Sequence, residues 1–534
     1  MPGVRSVRRR AAARAPLPRS HHRTAPVVGI TLVAGLVLGS ALPVDGDPPP
    51  RIPLASEGAA HSWALGETAG NAGNAVTTGG STDAAVVGRD VAVPTGTSPT
   101  FLPGTRVIDP GAGADPRVVA AAHEEAQRQR AWVAAGRIPG TATATAAAAT
   151  TTTAAAADTP HAALARAAML DLYVATHTPD GAVHPPLAAP TGAWRYVWPR
   201  DAAFVAVALA RTGHAGDAVQ VLEFFGDVPV TPTGYHARYR PDGSPVGDGR
   251  SAQLDGAGWL LWASGEVVAS LDDGDDDGDG DGEDGLTTQD ALTRLADVVG
   301  TSGDLLLAAT DRPGHLPPPS SDYWELRETR LTLGTATPVL AGLAALGDLR
   351  EFAGHDGDAT AARERHARVR TAVVDAFGPR WPREVGGRER DAALAFALPP
   401  FQDEALPGAE AAWRLIARGM ARPAGGLAPG EGWREPGHSW TPQTTLDALA
   451  AAATGDPPRA EQRLDWLARH TTATGSIPEK VTPDGAAAQV APLVWSSALV
   501  VLTLDELARA QELDGARPAP AVAPPAPDAA DAPR

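Results

Sequence analysis

The sequence predicts an all-α domain, and three observations predict it. From Thr159 onward apolar residues recur at spacings of three and four, the period of a helix with one buried face. Strand-type alternation is nearly absent over the same stretch. Several segments open on a capping residue followed by proline, as at Thr159-Pro160, Thr337-Pro338 and Thr441-Pro442, where a missing proline N–H costs nothing in a first helical turn. Helices are expected over 160–176, 202–212, 215–226, 253–271, 287–309, 338–353, 357–376, 407–421, 442–453, 458–470 and 492–511.

Composition divides the 534 residues into four parts. Residues 1–44 read as a signal peptide or membrane anchor: seven arginines and no acid fall in the first 24 residues, and the uncharged run 26–44 is long enough to cross a bilayer. Gly39-Ser40-Ala41 offers a cleavage site, and cleavage and retention stay open. Residues 45–157 read as a linker and low-complexity arm with one helix, opened by Asp115 and Pro116 and stopped by Gly136. With no core of its own, this arm is expected to be loosely ordered and dispensable for turnover. Residues 158–512 form the compact domain, and the Pro/Ala-rich tail 513–534 is expected to be disordered. An extracellular protein, secreted or anchored through residues 26–44, and a monomer, is the expectation.

A net charge of −18 speaks against a nucleic-acid partner, because phosphate binding needs a basic surface that releases counterions. The absence of cysteine excludes disulfides, thiolate metal sites and a cysteine nucleophile. The histidines are scattered without ligand spacing and no Gly-rich nucleotide loop is present, so neither a metal nor a cofactor is implied. The Asp/Gly run 272–285 imitates the start of an EF-hand loop at Asp273, Asp275, Asp277 and Gly278. Its twelfth position is Asp284 in place of the bidentate glutamate, which favours a solvated loop and leaves calcium open.

Four segments combine carboxylates with tryptophan at or just before expected helix starts. They are WRYVWPRD from Trp194 to Asp201, QLDGAGW from Gln253 to Trp259, DYWELR from Asp322 to Arg327, and SIPEKVTPDG from Ser476 to Gly485, the last followed by Leu493-Val-Trp-Ser496. Sugar sites are built from this mixture, since indole faces stack on a pyranose while Asp and Arg hydrogen-bond its hydroxyls. The 13 tryptophans against 8 phenylalanines and 5 tyrosines invert the usual order of abundance and fit the same use.

In content and in order these segments resemble glycoside hydrolase family 15, the glucoamylase-like enzymes, which include glucodextranase and trehalase relatives. The strongest pieces are Trp198-Pro-Arg-Asp201, Trp324-Glu325, and Pro478-Glu479 with Asp484-Gly485 and Trp495-Ser496. The resemblance covers residues 160–511 and implies an (α/α)6 barrel whose active site lies where the inner helices begin. It implies that Glu325 is the general acid and Glu479 the base that activates water. Inversion by such a pair needs carboxylates roughly 6.5 to 9.5 Å apart to admit the water. Arg200 and Asp201 would grip the terminal glucose, Trp198 would wall the pocket, and Asp255 would join it. Trp324 would supply apolar surface that keeps the acid protonated. Arg434 and Trp440 fall where relatives carry an arginine and aromatic pocket residues. The implied activity is exo-acting release of glucose from oligosaccharide or polysaccharide α-glucans. Dextran, isomaltosides or trehalose stay open as substrates, as does a non-catalytic glycan-binding role. Lys480 stands where the family often has glutamine, and its charge either lowers the pKa of Glu479 or points to solvent.

Overall fold

Helix after helix in the chain alternates between a fully apolar member and a one-faced member, and the two kinds pack as concentric rings. The computed structural model describes residues 56–65, 86–139, 160–275 and 285–516, all within one unit spanning Pro50–Arg534. The proposed anchor 26–44, residues 517–534 of the expected tail 513–534 and residues 276–284 of the acidic run 272–285 lie outside the described residues, while residues 513–516 and 272–275, expected in tail and loop, are helical. No helix among the described residues is long and apolar enough to cross a membrane.

The outer ring comprises α2 (Pro160–Thr176), α4 (Ala215–Asp227), α7 (Ala296–Thr310, preceded by the short α6, Thr288–Arg294), α9 (Asp356–Phe377), α10 (Ala409–Met420) and α12 (Pro457–Arg469). The inner ring comprises α3 (Pro199–Arg211), α5 (Asp255–Asp275), α8 (Leu333–Phe352), the 3-10 turn Ala392–Ala397, α11 (Thr441–Ala453) and α13 (Val494–Ala516). Each inner member packs on the next, and α13 closes the circle on α3. This is the (α/α)6 barrel, with all eleven expected helices present. The fourth inner position escaped the sequence because the segment AALAFA is a short 3-10 turn halted by Pro399 and Pro400.

Every residue of α3 is buried, and α10, with its apolar face at Ala409, Ala412, Trp413, Ile416 and Met420, shows the one-sided pattern of the outer ring. In the middle of the ring, Phe204 meets Trp259 (centroids 5.1 Å), Trp262 (5.2 Å), Phe401 (5.7 Å) and Trp495 (5.8 Å), so aromatic side chains fill the interior.

Two of the expected caps act otherwise. The helix α8 begins at Leu333, one turn before Thr337, and carries Pro338 inside it. Thr441 is already helical, and its hydroxyl bonds Pro478 O at 2.6 Å instead of capping.

The arm departs further from expectation. Its helix α1 (Pro116–Ala135) starts as foreseen, with Asp115 accepting from Arg117 N at 2.8 Å and Gly136 at the end. Ahead of it, β1 (Ser56–Leu65) and β2 (Val86–Pro94) pair as an antiparallel ribbon. Ala59 packs with Tyr173 and Val174 of α2, and Trp132 of α1 stacks on His214 at 3.8 Å. The described part of the arm is therefore ordered structure seated on the barrel. The sequence concealed it because its alternating pattern is weakened by alanine, glycine and serine.

The tightest crossing of the barrel joins α5 to α8. A Cβ on Gly258 would stand 2.2 Å from Pro338 O, and one on Gly342 would stand 2.8 Å from Gly258 Cα. Gly258→Val is accordingly expected to cost about 3 kcal/mol, the upper range for overpacking a core, read as a lowered unfolding midpoint. An unchanged midpoint would mean that the two helices are not in contact there.

Candidate active site

Inner helices of a barrel run in one direction, so their N-termini gather at one end, and each brings the residues that precede it. The WPRD segment sets Trp198 at the N-cap of α3, with Arg200 and Asp201 in its first turn. Asp255 opens α5, Trp440 caps α11, and Trp495 lies in the first turn of α13. Between β3 (Ser439–Trp440) and β5 (Ala487–Ala488), the strand β4 (Lys480–Val481) pairs on both sides, with Lys480 opposite Trp440, and this ribbon carries Glu479 at its edge.

Glu325 sits at a turn closed by its own N–H to Asp322 O at 2.7 Å, with φ 55°, in the left-handed region that a non-glycine residue seldom adopts. Trp198 Nε1 donates to Glu325 Oε1 at 2.5 Å, and Arg250 Nη1 lies 2.6 Å from Oε2. Trp324, expected to shelter this carboxyl, faces elsewhere: its ring lies under Arg383, with Cζ 4.1 Å from the centroid, and edge-on to Trp433 at 4.9 Å. The indole on Glu325 is that of Trp198.

Arg383 holds the turn from behind. Its Nη2 lies 3.1 Å from both oxygens of Asp322 and 2.7 Å from Glu328, and its Nε is 3.4 Å from Asp391. Tyr323 donates to Asp391 at 2.9 Å.

Glu479 is 6 % exposed, and its Oε2 is buried without a hydrogen-bond partner among the described residues. Burial pushes its carboxyl up to about 7, opposed by Lys480 and aided by Glu435, Glu325 and Asp201. Lys480 does not point to solvent. It is buried, 4.0 Å over the Trp440 ring and 3.5 Å from Glu435.

Near the two glutamates lies a polar group that is incompletely satisfied among the described residues. Arg200 Nη2 donates to Asp201 at 3.0 Å and its guanidinium lies 4.6 Å over Trp495, which leaves Nε and Nη1 buried and unpaired. Both Asp255 oxygens are buried and unpaired as well, and burial raises that carboxyl to about 7 against the pull of Arg200. Buried polar groups are nearly always hydrogen-bonded, so unpaired donors and acceptors gathered in one place fit a polyhydroxyl ligand.

Of the nine residues singled out in the sequence, eight are set at this end of the barrel, and Arg434 is the exception. Its side chain is exposed, and its neighbours Trp433 and Glu435 face the site, Trp433 lying 5.3 Å edge-on to Trp440. Arg250, Arg383, Trp433 and Glu435 were not singled out. Only Trp433 carried a signal, as the tryptophan beside the arginine that was chosen.

Fold and residues together fit a helical-barrel glycosidase, with Glu325 and Glu479 near the buried Arg200, Asp201 and Asp255. No family model matches the chain. An isomaltose glucohydrolase from Kribbella flavida is 27% identical over 378 residues, covering 62% of this chain and 90% of that protein. A wild-type glycosidase of known structure superposes with a TM-score of 0.53 at 24% identity, over 65% of this chain and 97% of that one. A bacterial glucoamylase complexed with acarbose gives 0.50 at 14%, over 74% of this chain and 62% of that one. The glucoamylase of Saccharomycopsis fibuligera gives 0.50 at 13%, over 64% and 93%. These structural likenesses show the fold. The molecule is a glycoside hydrolase built on the glucoamylase-like barrel, and it resembles family 15.

The raised carboxyl of Glu479 links stability to pH. An unfolded glutamate loses its proton near 4.5 and the folded one near 7, so the folded state binds more protons in between and stability falls as pH rises through that window. Glu479→Gln removes the dependence. Its melting temperature relative to wild type should climb between about pH 5 and about pH 8, and a difference that stays flat would mean the carboxyl is well solvated.

Proposed function

We propose that this protein is an exo-acting, inverting glycosidase that releases glucose from the non-reducing ends of α-glucans. The observation that carries the proposal is that Glu325 and Glu479 lie within electrostatic reach of each other and of the buried Arg200 and Asp201 group. A terminal glucose seated there would give its hydroxyls to the unpaired Arg200 nitrogens and Asp255 oxygens. Trp495, beneath Arg200, and Trp198 would wall the ring.

Glu325 then protonates the glycosidic oxygen as the C1–O bond breaks, and Glu479 takes a proton from the water whose oxygen bonds C1 from the opposite face. A single displacement inverts C1, so an α-linked substrate yields β-glucose. Trp198 and Arg250 hold the Glu325 carboxyl in one orientation.

The Kribbella flavida relative is named an isomaltose glucohydrolase, and this supports a second reading in which the same pocket and chemistry act on isomaltosides. Glucose release from maltotriose against isomaltotriose separates the two.

Positioned acid or base catalysis is worth about 10² to 10⁴ in rate, so Glu325→Gln and Glu479→Gln should each lose most turnover. They should differ on glucosyl fluoride, whose leaving group needs little protonation: it should partly spare Glu325→Gln and not Glu479→Gln. Equal rescue of both variants would refute the division of roles. Proton NMR of the first product should show the β-anomer, and an α-anomer would exclude single displacement.

Because the base must be ionised before substrate binds, kcat/KM should fall as pH drops through about 7, the value to which burial raises Glu479. A profile flat across that range would remove Glu479 from the role of base.

A further inference from the structure

The loop that carries Glu479 is held on both flanks by the segment that precedes the barrel. On the upstream flank, Glu57 O accepts from the hydroxyls of both Thr472 and Thr474, and Arg106 Nη1 donates to Thr474 O. Arg106 Nε also donates to Asp171 of α2 at 2.9 Å, and Asp171 accepts from Ser476 Oγ at 3.1 Å. All three of these side chains are buried. On the downstream flank, Ser56 Oγ donates to Ala491 O at 2.7 Å and accepts from Ala491 N at 3.4 Å. Between the flanks, Glu479 N donates to Val490 O at 2.8 Å and Leu493 N to Ile477 O at 2.9 Å.

The fit of ribbon against loop is close. A Cβ on Gly58 would lie 2.5 Å from Thr474 Oγ1 and 2.8 Å from Ser476 Oγ, so β1 reaches the loop only because residue 58 has no side chain. The arginine is matched to a buried acid: burial raises the Asp171 carboxyl, and Arg106 and Ser476 oppose the rise. Without Arg106 that acid loses its cation and its hold on Ser476, three residues before the base.

We infer that residues 56–65 and 86–106 are a built-in support for the catalytic base, with Arg106 and Ser56 as positioning residues that fix the loop 472–491 and thereby the line along which Glu479 meets its water. The inference rests on Glu479 being the base. It reverses the expectation that everything before residue 158 is dispensable for turnover.

The chemistry explains why such support matters. A buried carboxylate with an unpaired oxygen gets no orientation from hydrogen bonds at its own tip, so its geometry comes from the backbone beneath it. The acid is different. Glu325 is gripped at its tip by Trp198 and Arg250 and lies away from the arm's contacts. Loosening the arm should therefore spare the acid and the glucose-gripping residues and impair the base alone.

The test is a double-mutant cycle in the full chain. Arg106→Gln and Ser56→Ala are each made in wild type and in Glu479→Gln, with kcat, KM and product inhibition by glucose measured on an α-glucoside. In the wild-type background each should lower kcat, Arg106→Gln by about 10-fold or more, since misplacement of about 1 Å can cost 10²-fold. KM and inhibition by glucose should hold, because Arg200, Asp201 and Asp255 are untouched. In the Glu479→Gln background the further loss should vanish. An equal fold-loss in both backgrounds, or no loss in either, overturns the inference. Should Arg106→Gln fail to fold, Ser56→Ala, which removes one hydroxyl, is decisive through the same cycle. A wild-type chain that hydrolyses no α-glucoside, or a fully active Glu479→Gln, would instead defeat the reading of Glu479 as base.

Discussion

The inner helices pack with glycine against the carbonyl of Pro338, and this closeness draws their N-termini together, so that Asp201, Asp255 and Glu479 share ground from which water is largely removed. Most of the chemistry follows from that crowding. Desolvation disfavours charge on each carboxyl, and the field of a helix N-terminus favours it, so the acids at the starts of α3 and α5 lie between opposed influences. Arg200 is a buried cation set among them, and with two of its three nitrogens unpaired among the described residues it offsets burial without exhausting its capacity for a ligand.

The proposed acid and base are secured by different means. Glu325 stands on an irregular turn and is fixed at the carboxyl itself by an indole N–H and a guanidinium. Behind it Arg383 ties together Asp322, Glu328 and Asp391, three acids whose mutual repulsion would otherwise open the turn. Glu479 stands on a short ribbon, stitched by main-chain hydrogen bonds to Val490 and Thr441, and its carboxyl is left free. The contrast suits the two tasks, since a proton donor must meet one oxygen in one place and a base must leave room for a water.

Much of this was legible in the chain. The ring of helices shows in the spacing of apolar residues, and WPRD, DYWE and PEK mark the carboxylates, the first at a helix start and the other two in the loops that lead to one. The remainder was illegible for physical reasons. Arg250 and Arg383 act across long sequence separations, on Glu325 and Asp322, and nothing in their own neighbourhoods announces a partner. The ribbon of the arm gains its stability from the barrel beneath it, so local propensity underrated it. At Arg434 the difference was one residue: the backbone turns Trp433 and Glu435 to the site and its arginine to solvent.

The left-handed backbone at Glu325 has an evolutionary consequence. That conformation suits glycine or asparagine, and holding glutamate in it costs on the order of 1 kcal/mol or more. Random drift that selects only for a well-folded barrel would therefore favour replacing this glutamate. A lineage released from the need to cut sugars would lose its acid early, while the helices around it kept their form and the pocket its grip on glucose. Sugar-binding descendants of such a barrel should carry the scar at this turn before any other.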